Sequence, residues 1–376
     1  MSKLENLIKQ VNKTFKEEIA VKGLKEFKSE KIPFSSPRVN YMTYGGIPRG
    51  RLIEFCGEEN GGKTTTALDI VGNAQKLFLK EFTEEFEYLA NIEKPTKDEQ
   101  LRKTYLETHK TKKIVYADCE NTLDDEWAKT LGVDVDDLII LKPMSQTAEQ
   151  IFEILLQMIE TGEVGLVVID SLGVMLSAQA YEKTMEEKTY GGIAMALTLF
   201  SKKAEMLCTK HDCTLIGINQ MRDNLSSPYG GQITTGGRAW KHNCSLRMAF
   251  KKGSYLDESG KELKRSAEAP EGNKVDISIM KTKVFKPNRR NGFYTLMYNH
   301  GIDSISDAVD TAIYLGLIIQ SGAWFTFADI ETGELETCSE GEVLNVHGRL
   351  NVIEMFKDDE EKYKKLVEDI NILSEE

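Results

Sequence analysis

From Arg51 onward, short apolar runs without polar alternation are separated by longer stretches whose apolar residues recur every three or four positions. The runs are Arg51–Cys56, Lys113–Asp118, Leu138–Leu141, Leu166–Asp170 and Thr214–Asn219. Between them the spacing predicts helices from about Thr64 to Lys80, Asp125 to Leu131, Ala148 to Thr161 and Ile193 to Lys210. Strands that are apolar on both faces belong to a mostly parallel sheet covered by helices on both sides, so the expected class is α/β. Leu246–Phe250, Val275–Lys281 and Phe293–Tyr298 alternate instead, and are expected to extend the sheet with antiparallel strands.

Ahead of this core, Leu4, Leu7, Ile8, Val11, Phe15, Ile19 and Leu24 form one stripe on a helix expected over residues 1–30. Such a stripe has to cover either its own domain or a neighbouring subunit. Pro33, Pro37 and Pro48, with Gly45, Gly46 and Gly50, mark an irregular lead-in. Residues 81–110 are charged and helix-favouring, with Pro95 between two pieces, and read as an inserted helical hairpin. From about residue 301 helix and short strand mix. The expected divisions are an N-terminal helical oligomerisation segment (1–33), a core (34–300) and a small C-terminal domain (301–376).

Composition narrows the class. Of 376 residues, 40% are hydrophobic and 29% charged, which is globular rather than disordered. The most apolar stretches, Val164 to Ile169 and Ala312 to Ile319, fall short of the roughly 18 residues of a membrane span. No apolar secretory segment follows the N-terminus, so a cytoplasmic protein with no membrane partner is expected. The 6 cysteines include no CxxC pair, which argues against a zinc ribbon and for reduced thiols. The net charge of −12 does not favour nucleic acid globally. Locally, KTKVFKPNRR (Lys281 to Arg290) carries 5 bases and no acid, while Lys357 to Glu376 holds 8 acids and 4 bases. That acidic end reads either as a solvated tail or as a competitor with DNA for the basic surface.

The strongest chemical signal is Gly57-Glu58-Glu59-Asn60-Gly61-Gly62-Lys63-Thr64, a full G-x-x-x-x-G-K-[ST] motif between a strand and a helix, followed by Thr65. Glycines allow a tight turn whose N–H groups converge on phosphate oxygens, and the helix N-terminus adds its positive dipole end. Lys63 is placed for the β- and γ-phosphates, and the Thr64 hydroxyl for Mg²⁺. Asp170, at the end of VGLVVID, is the second expected Mg²⁺ group. ATP and Mg²⁺ are therefore the expected cofactors.

Several segments then fall in a specific order: GEENGGKTTT from Gly57, YADCENTLDDEWAKTLG from Tyr116, VVIDSLG from Val167, INQMR from Ile218, TTGGRAWK from Thr234, KTK from Lys281 and SGAWF from Ser321. Over about residues 36–330 this resembles the RecA family of homologous recombinases, in its bacterial and phage branch. The resemblance implies a RecA-type phosphate-loop ATPase core with a mostly parallel central sheet, an N-terminal helix and a small α+β C-terminal domain. It implies a DNA-dependent ATPase that forms helical filaments on single-stranded DNA and exchanges strands with a homologous duplex, with loader or single-strand-binding proteins as further partners. By the same resemblance Glu120 orients the attacking water, Asp124 and Trp127 lie against adenine with Tyr298 opposite, and Gln220 senses the γ-phosphate. Lys281 and Lys283 reach a neighbour's ATP, with Lys241 as a related interface residue. Two loops follow the pattern of DNA-contacting segments, Gln179–Gly192 with Tyr190 and Gly191, and Met221–Gly237 with Arg222, Tyr229, Thr235, Gly236 and Gly237. The chain departs from the pattern in the 81–110 insertion, in Met195 where bacterial members commonly have Arg, and in Asn224 at a commonly basic position. A ring helicase, a non-catalytic recombinase mediator and a small-molecule kinase are the rival readings of the same loop.

Overall fold

A computed structural model describes residues 3–15, 30–184, 192–223, 232–264, 266–330, 332–337 and 343–375. The chain forms two compact units, Met1–Glu30 and Lys31–Glu376. In the first, the described part is a helix over Lys3–Phe15; Ile19 and Leu24 of the expected stripe lie outside the described residues.

The second unit is built on one large sheet. Its strands run in the order Gly301–Ile302, Asn291–Met297, Gly272–Thr282, Leu246–Leu256, Leu52–Gly57, Thr214–Asp223, Val164–Asp170, Lys113–Asp118 and Leu138–Leu141. The six from Leu246–Leu256 to Leu138–Leu141 are mutually parallel. The rest are antiparallel. Leu246–Leu256 is thus the junction: it runs parallel to Leu52–Gly57 and antiparallel to Gly272–Thr282. That corrects the expectation that all three alternating strands join antiparallel.

Alternate residues of the parallel strands feed two cores, which explains their unbroken apolar runs. Ile53, Phe55, Ile114, Tyr116, Ile216 and Ile218 pack with Ile70, Val71, Ala74 and Phe78 of the helix Lys63–Ala90. Leu52, Val115, Ala117 and Leu215 face the other way, onto helices Ala148–Glu160, Gly192–His211 and Gly237–Asn243. Phe152 and Phe200 stack between two of these at 4.2 Å.

Three local expectations are revised. The lead-in contains a helix, Pro37–Thr43, because Ser36 caps it, Pro37 suits its first turn and Tyr44 ends it in the left-handed region. The insertion is a hairpin, but its first arm is the phosphate-loop helix itself, which runs on unbroken to Ala90. Pro95 precedes the returning helix Lys97–His109, whose start is closed by a reciprocal Thr96–Glu99 capping box. Arg102 grips Glu85 across the hairpin with two bonds of 2.7 and 2.8 Å. Finally, the acidic end is a packed helix, Glu360–Glu375, rather than a solvated tail. Leu366 and Ile370 enter an apolar cluster with Val309, Phe325, Val352 and Phe356, and Arg289 donates to the Ser374 carbonyl at 2.7 Å.

The same C-terminal region carries a buried acid. Asp307, on helix Ser304–Leu315, accepts the Thr295 N–H at 3.1 and 3.3 Å. Burial pushes its carboxyl up to about 7, against hydrogen bonds from Ser36 and Thr295. Asp69 is raised in the same way to about 6. The folded chain then binds these protons more tightly than the unfolded chain, so stability falls as pH rises from about 4 towards 7. Asp307→Asn keeps an acceptor for Thr295 and is expected to remove a share of that fall on the order of 3 kcal/mol, read from urea midpoints across the range. An unchanged slope would show that Asp307 is ionised in the fold.

Candidate nucleotide-binding site

The carboxyl ends of the parallel strands meet at one cavity of about 600 Å³. Gly57 ends its strand against its neighbour so closely that a Cβ would sit 2.1 Å from the Phe250 carbonyl oxygen. Gly62, at φ +92, leaves only 2.8 Å to Val275 for any side chain. The glycines of the motif are therefore demanded by the two strands on one flank of the loop, those of Phe250 and Val275. Lys63 opens the helix, buried, and its ammonium donates to the carbonyls of Gly57 at 3.3 Å and Glu58. Burial lowers the Lys63 pKa, opposed by Asp170 and Glu120.

Thr64 Oγ1 donates to Asp170 Oδ2 at 2.7 Å, and Tyr116 OH donates to the same oxygen at 2.8 Å. Burial raises the Asp170 pKa, and these two bonds oppose the rise. Asp118, one strand over, accepts the N–H groups of Thr122 at 3.1 Å and Leu123 at 3.2 Å. That turn presents Glu120, whose own N–H donates to the Asp170 carbonyl at 3.2 Å. The Ser171 hydroxyl donates to the Glu120 carboxylate. Cys119 beside it is no nucleophile, since burial first, and then the nearby carboxylates, push its thiol up to about 12.

Of the residues the sequence singled out, Glu59, Asn60, Gly61, Gly62, Lys63, Thr64, Thr65, Glu120, Trp127, Asp170, Gln220 and Tyr298 all line this cavity. Asp124 does not; its carboxylate caps the helix that carries Trp127, accepting from Glu126 N at 2.9 Å and Trp127 N at 3.1 Å. Lys281 and Lys283 are also outside it, and the Lys281 ammonium donates to the carbonyls of Lys241 and His242, both at 2.7 Å. Sequence reasoning missed Ser171, Lys252 and Asn273, which do line the cavity. Ser171 follows Asp170 directly and was within reach. Lys252 lies on the junction strand and Asn273 on the antiparallel strand beside it, where no motif marks them. Asn273 accepts from Tyr298 OH at 2.9 Å and fixes that ring at the wall.

The second predicted DNA loop begins and ends as a ribbon, with Arg222 opposite Ile233 and Asp223 opposite Gln232. Thr235 Oγ1 donates to Asn219 Oδ1 at 2.9 Å, and Gly236 and Gly237 begin the helix Gly237–Asn243. Tyr190, Gly191 and Tyr229 lie outside the described residues. Beneath this ribbon is a fully buried carboxylate. Glu54, on the phosphate-loop strand, pairs with Arg247 and accepts from Asn219 Nδ2 at 2.9 Å and Trp240 Nε1 at 3.0 Å.

A glycine-rich loop between strand and helix, with Thr64 and Asp170 in contact at its mouth, defines a phosphate-loop nucleotide-binding protein. The RecA N-terminal domain family profile matches residues 2–81 and 101–303. The chain belongs to the RecA family. The protein RecA of Thermus thermophilus is 30% identical over 336 residues, covering 88% of this chain and 86% of its own length. That of Clostridium acetobutylicum is 31% identical over 291 residues, or 77% of this chain and 71% of its own. That of Ruminococcus albus is 30% identical over 307 residues, or 81% of this chain and 66% of its own. The profile match breaks over residues 82–100, the outer part of the hairpin.

Losing one member of the Glu54–Arg247 pair strands a buried charge. Arg247→Ala is expected to cost about 3–5 kcal/mol of unfolding free energy. Adding Glu54→Gln to that variant should recover part of the loss, a coupling that denaturant titration of the two single variants and the double variant measures. Strict additivity would count against the pairing.

Proposed function

We propose that the chain is an ATP-dependent DNA recombinase. It forms helical filaments on single-stranded DNA, hydrolyses ATP when DNA is bound, and exchanges the strand with a homologous duplex. The observation that carries this reading is the gathering of Lys63, Thr64, Glu120, Asp170 and Gln220 on one cavity in a RecA-family chain.

Thr64 and Asp170 are two hard oxygen donors in direct contact, which suits Mg²⁺, an ion that takes few protein ligands and completes its shell with phosphate and water. Bound there, Mg²⁺ would neutralise charge on the β- and γ-phosphates. Gly57 to Thr65 cradle the triphosphate through backbone N–H groups, with Lys63 as the point charge. Glu120, oriented by Ser171, holds the attacking water in line. Gln220, whose backbone pairs with Gly57 in the sheet, reports the γ-phosphate to the loop that follows. Trp127 and Tyr298 hold the base, and Asp124 acts by capping Trp127's helix.

Lys281 and Lys283 act on the neighbour's nucleotide, Lys241 belongs to the same interface, and a head-to-tail contact that does not close gives an open helix. Arg222, Thr235, Gly236 and Gly237, with Tyr190, Gly191 and Tyr229, supply the DNA contacts. Loader or single-strand-binding proteins are further partners, and the location is cytoplasmic. Among the described residues no helix is long and apolar enough to cross a membrane.

Electron imaging of the protein on single-stranded DNA, with Mg²⁺ and a slowly hydrolysed ATP analogue, should show stretched helical filaments. Closed rings would replace this reading with a helicase. Glu120→Gln should form the same filaments while DNA-stimulated hydrolysis drops by about a hundredfold or more. Hydrolysis at the wild-type rate would remove Glu120 from the mechanism.

A further inference from the structure

The motif contributes one cation to the cavity, Lys63, and the fold contributes another. Among the described residues, Lys63 and Lys252 are the two cationic side chains that line it, alongside the carboxylates of Glu59, Glu120 and Asp170. Lys252 stands two residues beyond Phe250 on the same strand face. The Phe250 carbonyl is the group pressed against the phosphate loop, within 2.1 Å of a Cβ built on Gly57 and 3.0 Å of one built on Gly61. Gly57 pairs with Phe250 and ends its own strand, so Lys252 projects past that end, beside the loop.

The sheet order fixes the side from which it approaches. Leu246–Leu256 borders the phosphate-loop strand on one flank, and Thr214–Asp223, then Val164–Asp170, lie on the other. Lys252 and the pair Asp170 and Gln220 therefore flank the loop from opposite sides. The ammonium of Lys252 has no carboxylate partner among the described residues and rests 4.6 Å over the Tyr255 ring. A cation with no carboxylate in contact, beside a loop whose shape suits phosphate, fits an anionic ligand.

We propose that Lys252 is a second phosphate-binding cation of the nucleotide site. It engages the α- and β-phosphates from the flank of the junction strand, while the γ-phosphate lies towards Asp170 and Gln220. This rests on the nucleotide reading of the cavity given above. Engagement at the α and β positions means that diphosphate and triphosphate both feel the loss of Lys252, unlike a contact made only to the γ-phosphate.

The test is equilibrium titration of the full-length protein with Mg·ADP and with a slowly hydrolysed Mg·ATP analogue, at two salt concentrations. Lys252→Ala is expected to weaken both ligands by about tenfold or more and to reduce the salt dependence of binding. Lys252→Arg should stay within about threefold of wild type, and the thermal midpoints of both variants should match it. Wild-type affinity of Lys252→Ala for both nucleotides overturns the proposal. Weakening confined to the triphosphate overturns the α/β placement. Should the wild-type chain itself bind neither nucleotide, the reading of the cavity fails, and this inference fails with it.

Discussion

The carboxylate of Glu54 is the point on which the functional half of the molecule is assembled. It is fully buried, on the strand that ends in the phosphate loop, and three neighbours share it: Arg247 from one adjacent strand, Asn219 from the other and Trp240 from the short helix beyond. An uncompensated charge at this depth would cost several kcal/mol, so the three donors have to arrive together. Their arrival sets the register that brings Gly57 beside Gln220 on one side and beside Phe250 on the other. The cavity follows from that register.

The two halves of the sheet then divide the work. The parallel half delivers Asp170, Glu120 and Gln220 at strand ends, the usual place for ligands in α/β sheets. The other flank builds a wall from Lys252 on the junction strand and from Asn273, Val275, Leu296 and Tyr298 on and just after the antiparallel strands. The hairpin leaves both halves alone. It lengthens the phosphate-loop helix at the end remote from the loop and is anchored by Glu81, which with Asp212 holds the buried Arg49.

Most of the parallel core was legible because strands buried on both faces leave continuous apolar runs; Lys113–Asp118 and Leu138–Leu141 are found at the expected boundaries. The phosphate loop was legible because its backbone shape restricts residue type. The helix end at Lys80 was misread because acids gather there, although Leu79, Phe82, Phe86 and Leu89 carry the apolar stripe on and nothing in Glu81 to Ala90 breaks a helix. The C-terminal segment misled for the opposite reason: its acids dominate the composition, while Leu366, Ile370 and Leu373 supply a helical stripe at three- and four-residue spacing. Lys252 and Asn273 escaped because their roles depend on strand pairing, which single-strand patterning does not reveal.

The short helix Gly237–Asn243 draws these strands of argument together. Its first residues are the end of the proposed DNA loop, with Thr235 just ahead bonded to Asn219. Its middle residue Trp240 donates to Glu54, under the phosphate loop. Its last turn offers the carbonyls of Lys241 and His242 to Lys281, the lysine proposed to meet a neighbour's nucleotide. Seven residues thus have three attachments, to the strand that carries the phosphate loop, to the proposed DNA loop and to the lysine of the proposed subunit contact. A helix of two turns, held at both ends and at its centre, ties the three attachments together. On the proposed function, the nucleotide, DNA and subunit sites therefore share this one short helix, and coupling among them has a direct structural route through it.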